Sequence, residues 1–404
     1  MRIEAGACGT YQGGMEFSQN ITRTSPPPIM EAIRWTQGVV FPPERPLLNL
    51  SQAAPVGAPP LALREELARL VMDDVGVHLY GPDLGFPDLR AQVAQDWSRD
   101  YGGQISADQV AITSGCNQAF CAAIATLARA GDAVILPTPF YFNHDMHLKT
   151  AGIEARYLPC GPDMVPDVER AEALLDGAVK AIVLVTPNNP TGAEYPAGVI
   201  QAFYDLAKRR GLPLILDETY RDFRASHDRP HALFEEPDWA DTLIHLYSFS
   251  KTYRLTGHRV GAMIAGADVL AEVEKYIDSV TICANQLGQR AALFGLRHLG
   301  DWVAEERAEI LLRKAALMAA FDGQTRGRIL SCGAYFAFLE HGHDMASDIL
   351  AERLVKEQSL LVLPATMFSP AADPIGATCL RVAFANADVE GIGAFARRWG
   401  AFGG

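Results

Sequence analysis

Apolar residues arrive along much of this chain in short unbroken blocks, separated by stretches where they recur every three or four positions. The blocks at 133–136 (AVIL), 181–185 (AIVLV), 213–216 (PLIL) and 243–247 (LIHLY) do not alternate as half-solvated strands do, so they read as strands covered on both faces. Weaker strand signals fall at 110–112 and 153–157. The helical period sets in at residues 61–72, 87–100, 117–129 and 200–210, with a shorter helical stretch at 29–37. Strand alternating with helix predicts an α/β layout, a mostly parallel sheet sandwiched by helices. Beyond residue 268 the pattern changes to long helical stretches reaching about 321, a strand signal at 335–338, a helix over 345–356, a strand at 380–384 and a closing helix. These are expected to form a smaller α+β domain. Residues 1–28, rich in Gly, Ser, Thr and Pro and ending in Ser25-Pro26-Pro27-Pro28, read as an extended arm that wraps over something. The expected organisation is an arm (1–28), a large domain (61–299) and a small domain assembled from 29–60 and 300–404.

Length and composition suit that organisation. The 404 residues are 49% hydrophobic and 21% charged, the balance of a folded chain. Asp and Glu number 48 against 35 Lys and Arg, a net charge of −13 that repels phosphate backbones and anionic surfaces, so neither nucleic acid nor membrane is an expected partner. No apolar run approaches the roughly eighteen residues of a membrane span, and none stands behind Arg2 as a leader would require. The seven cysteines are scattered without a CxxC pair, so no metal site is expected, and a reducing, cytoplasmic setting fits.

Sites in open α/β sheets lie at the carboxyl ends of the strands, which directs attention to the residues just past each apolar block. Thr113-Ser114-Gly115-Cys116-Asn117 is a glycine turn opening a helix, suited to a phosphate through free amides and the helix dipole, though such turns also simply cap helices. It matches neither GxGxxG nor GxxxxGK[ST]. PTPFYFNH (137–144) sets Tyr141, Asn143 and His144 after a strand, and core packing by residues 140–142 explains it as well on its own. In TPNNPTG (186–192) two asparagines held between prolines point to a rigid amide aimed at a ligand. Asp217 follows PLIL and should be buried, which is costly unless the carboxylate is paired or hydrogen-bonded. SFSKTYRLTGHRVG places Ser248, Ser250, Lys251 and Arg259 together, and desolvating two cations calls for anions or a carbonyl compound. Arg381 in CLRVAFAN is a cation inside an apolar strand, suited either to a ligand carboxylate or to a structural ion pair.

Taken in order from residue 49 to 381, these segments resemble the class I/II aminotransferase family of fold-type I pyridoxal 5'-phosphate enzymes. The resemblance implies that Lys251 forms the Schiff base with the cofactor aldehyde and shuttles the proton, and that Asp217 pairs with the pyridine nitrogen. It makes Tyr220 and Asn189 donors to the 3'-oxygen, Tyr141 the aromatic stacked on the ring, and His144 a support for Asp217. The implied phosphate cup comprises Ser114, the amides of Gly115 and Cys116, Ser248 and Arg259, completed by Tyr80 from a partner subunit in a homodimer. Arg381 is implied to hold the substrate α-carboxylate, with Asn189 and Ala53 beside it. The implied reaction is ping-pong transfer of an amino group between an L-amino acid and a 2-oxo acid, the alternative being a lyase, cyclase or synthase of the same fold. A non-enzymatic regulator would need an appended DNA-binding region, for which there is no sequence signal. Two departures from the family pattern stand out. Ala occupies the glycine position in Ser51-Gln52-Ala53-Ala54-Pro55, and Arg254 stands where the family carries a small residue, either as a substrate contact or facing solvent.

Overall fold

The computed structural model describes residues 14–55 and 57–403. Its centre is a seven-stranded sheet built from β1 (Val110–Thr113), β2 (Ala133–Thr138), β3 (Glu154–Pro159), β4 (Val179–Val185), β5 (Leu214–Asp217), β6 (Leu243–Ser248) and β7 (Gly261–Ile264), in the order β1-β7-β6-β5-β4-β2-β3. Strands β2 to β6 pair in parallel, whereas β7 runs antiparallel to both its neighbours. Every residue of β1, β2, β5, β6 and β7 is buried, the double-sided cover that the unbroken apolar blocks predict. Edge strand β3 is mostly part-exposed, which accounts for its weak signal. The sequence reading passes over β7, because four residues beginning with glycine carry too little pattern to register.

The helices match the expected periods at Leu61–Asp73, Pro87–Tyr101, Cys116–Leu127 and Ala197–Arg210. The helices Phe142–Ala151 and Val168–Ala173 lie outside the expected periods: the apolar residues of the first are too few to mark a stripe, and the second has only six residues. The arm is not extended throughout, since Gln19–Arg23 closes a helical turn, capped by the Thr24 hydroxyl on the Asn20 carbonyl at 2.8 Å. Arm residues 1–13 lie outside the described residues.

A second sheet holds β8 (Arg328–Gly333), β9 (Phe336–Glu340), β10 (Leu363–Pro364) and β11 (Cys379–Val382), antiparallel in the order β10-β11-β9-β8. The strand expected at 380–384 stops at Val382, where Phe384–Asn386 turns into a 3-10 helix. Around this sheet the helices Gly300–Phe321, Ser347–Gln358 and Val389–Ala401 bury a core of Phe336, Leu354, Leu380, Phe395 and Trp399, which Leu50 and Ala53 join from the start of the chain. The large sheet is covered by separate apolar clusters on its two faces.

Candidate active site

Six of the seven strands of the large sheet point the same way, so their carboxyl ends converge on one edge. A cavity of about 550 Å³ opens there, roofed by Ala53, Ala54 and Arg381 from the second sheet's side and by arm residues Pro27 and Pro28. Of the residues singled out from the sequence, Cys116, Tyr141, Asn189, Asp217, Tyr220, Ser248, Lys251, Arg259, Arg381 and Ala53 line it. His144 lies behind Asp217, its Nε2 3.6 Å from Oδ2. Ser114 and Gly115 do not line the cavity: the Ser114 amide donates to Gln118 Oε1 at 2.6 Å. Tyr80 is also outside it and 79% exposed.

Asp217 ends β5 and is buried, which pushes its carboxyl pKa up. Its Oδ1 accepts from the Thr219 amide at 2.9 Å. The neighbouring His144 stacks on Phe120 at 3.8 Å, and burial lowers its pKa to about 3, so it stands neutral at physiological pH. Among the described residues Asp217 therefore has no cationic partner. The next residue anchors the turn from behind: Glu218 Oε2 lies 2.9 Å from His245 Nε2 and 3.3 Å from His231 Nε2, and also accepts from the Tyr101 hydroxyl.

Arg381 is the opposite case. Its guanidinium is 2% exposed, donates to Asn189 Oδ1 at 2.9 Å and to the Ser51 carbonyl, and lies near Phe336 and Phe368 at 5.0 and 4.7 Å. Burial lowers its pKa to about 10. Among the described residues it meets no carboxylate, so the structural ion pair open to it on sequence grounds is not formed.

Lys251 lies in the short helix Phe249–Thr252 that follows β6, and its Nζ donates to the Ala53 carbonyl at 2.5 Å. Burial first, then the Arg259 and Arg381 charges, bring its pKa down to about 8. Of the two cations expected to be desolvated, only Lys251 is; Arg259 remains exposed. Arg259 has a left-handed φ of +52°, and its Nη1 reaches Ser250 Oγ at 3.4 Å. A Cβ on Gly115 would come within 2.3 Å of Arg259 Nη2, so that position admits only glycine while the arginine stays. Cys116 and Asn117, the first residues of the helix Cys116–Leu127, direct its positive end at the same corner.

The two asparagines divide the work. Asn188 Oδ1 accepts from the Thr191 amide and hydroxyl at 3.0 and 2.9 Å while its Nδ2 donates to Tyr195, which leaves Asn189 as the amide facing the cavity. Tyr220 packs between Tyr335 and Phe336, and burial raises the Tyr141 hydroxyl to about 12 while Asn143 donates to it at 3.0 Å. Ser250, Asn117, Thr219, Phe142 and the arm prolines also line the cavity. Ser250 and Asn117 sat inside quoted motifs, whereas no periodicity announced the arm. Arg254 is neither a substrate contact nor a solvent-facing side chain: it pairs with Glu306.

The unmet charges suit pyridoxal 5'-phosphate: a ring cation answers Asp217, and the corner of Arg259, Ser248, Ser250 and a helix N-terminus answers a phosphate. Comparison with known proteins agrees. The family model for class I and class II aminotransferases matches residues 45–398. The aromatic aminotransferase ISS1 of Arabidopsis thaliana is 29% identical over 304 residues, 73% of this chain and 74% of that protein. The methionine aminotransferase of Escherichia coli is 28% identical over 363 residues, covering 87% and 91%. Among solved structures, aspartate aminotransferase from Thermotoga maritima superposes with a TM-score of 0.86 at 25% identity, covering 96% of this chain and 99% of that one. With the family matched over most of its length, the chain belongs to the class I and II aminotransferases, fold-type I enzymes that use pyridoxal 5'-phosphate.

Proposed function

We propose that this cavity is the catalytic site of the aminotransferase, with Lys251, Asp217 and Tyr220 as catalytic residues, and that its amino donor is an L-amino acid with a neutral, largely apolar side chain. The observation that carries the reading is the pair of buried groups with opposite needs: Asp217 without a cation and Arg381 without an anion. When bound, the cofactor supplies an aldehyde that takes up the amino group and a ring that accepts the electrons released at the substrate Cα. Asp217 keeps the proton on the ring nitrogen, and His144 supports its carboxylate. Asn189, its Oδ1 occupied by Arg381, has Nδ2 to offer the 3'-oxygen alongside the Tyr220 hydroxyl. Tyr141 packs on the ring face. Cys116, Ser248 and Arg259 hold the phosphate, and Ser114 and Gly115, outside the cavity wall, shape the turn that leads into Cys116. Lys251 Nζ, with its lowered pKa, is neutral often enough near pH 8 to bond the aldehyde and to take and return the Cα proton. Arg381 grips the α-carboxylate, with Asn189 and Ala53 beside it, so that the Cα–H bond is the one oriented for cleavage.

The donor class follows from the cations that line the cavity, which among the described residues are Lys251, Arg259 and Arg381. With Lys251 on the cofactor aldehyde, Arg259 on the phosphate and Arg381 on the α-carboxylate, none of these cations is left for an acidic side chain. Pro27, Pro28, Ile29, Ala54 and Phe142 supply apolar wall instead. The same proposal places the enzyme in the cytoplasm, in keeping with the six described cysteines being free thiols. No helix among the described residues is long and apolar enough to cross a membrane. The proposal also divides the chain into a large domain (61–299) and a small one (29–60 with 300–404), supported by a second apolar core drawn mostly from 300–404 with Leu50 and Ala53, and joins two chains in a homodimer. Met72, Val75 and Leu79, between 60% and 82% exposed, surround Tyr80 with apolar surface suited to a second copy, whose phosphate site Tyr80 would complete.

A panel of amino donors tests the reading through loss of the enzyme's yellow absorbance and appearance of pyridoxamine phosphate. Methionine, leucine or phenylalanine should exceed aspartate and glutamate in kcat/KM. Preference for the acidic donors would remove the substrate class, and ammonia with pyruvate as products would favour a lyase. Borohydride fixation of the cofactor at a residue other than Lys251 would overturn the site.

A further inference from the structure

Arg254 lies three residues past Lys251 in the turn that closes the short helix Phe249–Thr252, and it holds a left-handed φ of +56°, an unfavourable backbone for a residue with a side chain. Its guanidinium is fixed on three sides. It forms a two-pronged ion pair with Glu306 of the helix Gly300–Phe321, Nη2 reaching Oε1 at 2.8 Å and Oε2 at 2.7 Å. Nη1 donates to the Ala58 carbonyl at 3.2 Å. The group also lies 5.5 Å from the Trp302 ring. It rests so closely on Gly57 that a Cβ there would come within 2.1 Å of Nη1.

Gly57 and Ala58 lie in the stretch before the helix Leu61–Asp73 and follow Ser51 and the cavity-lining Gln52, Ala53 and Ala54 along the chain. Ser51 and Gln52 are held from the second sheet's side, by Arg381 on the Ser51 carbonyl and Asn386 on the Gln52 carbonyl. Ala53 accepts the hydrogen bond from Lys251 Nζ. Arg254 holds Gly57 and Ala58, and it does so from the same short segment that carries the lysine.

We propose that Arg254 is a positioning residue: braced by Glu306, it pins Gly57 and Ala58 to the lysine-bearing turn and thereby sets the substrate-side wall at 52–54 and the acceptor of the Lys251 amine. The ion pair is about one-quarter exposed on both sides, so it is shielded enough to hold one geometry while still reached by salt. The brace acts on the substrate-side wall and not on the phosphate corner. Its loss therefore falls on substrate affinity and turnover, not on retention of the cofactor.

This inference rests on the site proposed above, and the experiment separates the two. Steady-state constants for the preferred amino donor and cofactor affinity are measured for the parent holoenzyme, Arg254→Ala, Arg254→Lys, Glu306→Gln and the Arg254→Ala/Glu306→Gln double variant. Arg254→Ala should raise KM roughly three- to tenfold with unchanged cofactor affinity, a size in keeping with loss of one part-exposed ion pair and the Ala58 contact. Arg254→Lys should restore part of the loss, and the double variant should be no worse than Arg254→Ala, because both changes remove one interaction. Gly57→Ala gives an independent route, since the added methyl displaces the guanidinium while leaving both ion-pair partners in place; it should reproduce the Arg254→Ala constants even if that variant folds poorly. KM within twofold of the parent in both Arg254→Ala and Gly57→Ala would overturn the brace, as would an equal loss of cofactor affinity. A parent enzyme lacking the borohydride-fixed link at Lys251 would instead overturn the underlying site.

Discussion

Replacing the proposed catalytic lysine should make the cofactor-free protein more stable, in a way that depends on pH. Lys251 faces the cavity, and burial, reinforced by Arg259 and Arg381, lowers its ammonium from 10.5 to about 8. At about 1.4 kcal/mol per unit, with some discount for solvent in the cavity, that gap is about 2 to 3 kcal/mol of penalty for carrying the charge in the folded state. Below pH 8 both folded and unfolded chains hold the proton and the penalty is fully present. Between pH 8 and 10.5 the folded chain has released the proton and the unfolded chain has not, so stability climbs with pH; above 10.5 the penalty is gone. Lys251→Met lacks this titration. Other effects of the substitution, such as an Ala53 carbonyl left without its donor, change little with pH. Urea unfolding of the two cofactor-free proteins should therefore show the variant's advantage shrinking by about 2 to 3 kcal/mol from neutral pH to about 10.5. A difference that stays flat across that range would mean that Lys251 carries its charge without cost, and the argument for a neutral, reactive amine would fail.

Asp217→Asn should retain the Thr219 amide contact and the fold but lose about ten- to hundredfold in kcat, the size of a charge-assisted hydrogen bond, and near-parental turnover would remove its role at the ring nitrogen. Arg381→Ala should weaken amino donors by about 1.5 to 3 kcal/mol, read as a rise in KM, and an unchanged KM across donors would count against it as the carboxylate clamp. Mixing Lys251→Ala chains with chains carrying a disabling Tyr80 change should restore part of the activity, because the heterodimer has one site with both lesions and one with neither; no recovery despite subunit exchange would place Tyr80 outside the partner's site.

Sequence alone determined what depends on neighbouring residues. The buried strands were legible because a strand covered on both faces must be apolar without alternation, and the candidate residues were legible because polar side chains directly behind such strands sit at the sheet's carboxyl edge. Asp217, Asn189, Ser248 and Lys251 follow from that rule together with the order of their motifs. Tertiary structure decided what depends on distant partners. Arg381 could have been half of an ion pair; only the approach of Ser51, 330 residues away, and Asn189, 192 away, shows it held by neutral oxygens and lacking an anion. Asn188 and Asn189 look alike in TPNNPTG, and they part only when Thr191 and Tyr195 fold back on the first. Lys251 and Arg259 look equally desolvated in SFSKTYRLTGHRVG, yet the fold covers one and exposes the other. The arm prolines carry no periodic signal although they reach the cavity, and Arg254 has no motif because Glu306 and Ala58 reach it from helix and loop segments far along the chain. Local pattern records which residues must be buried, and what they meet there is set by segments that pattern does not connect.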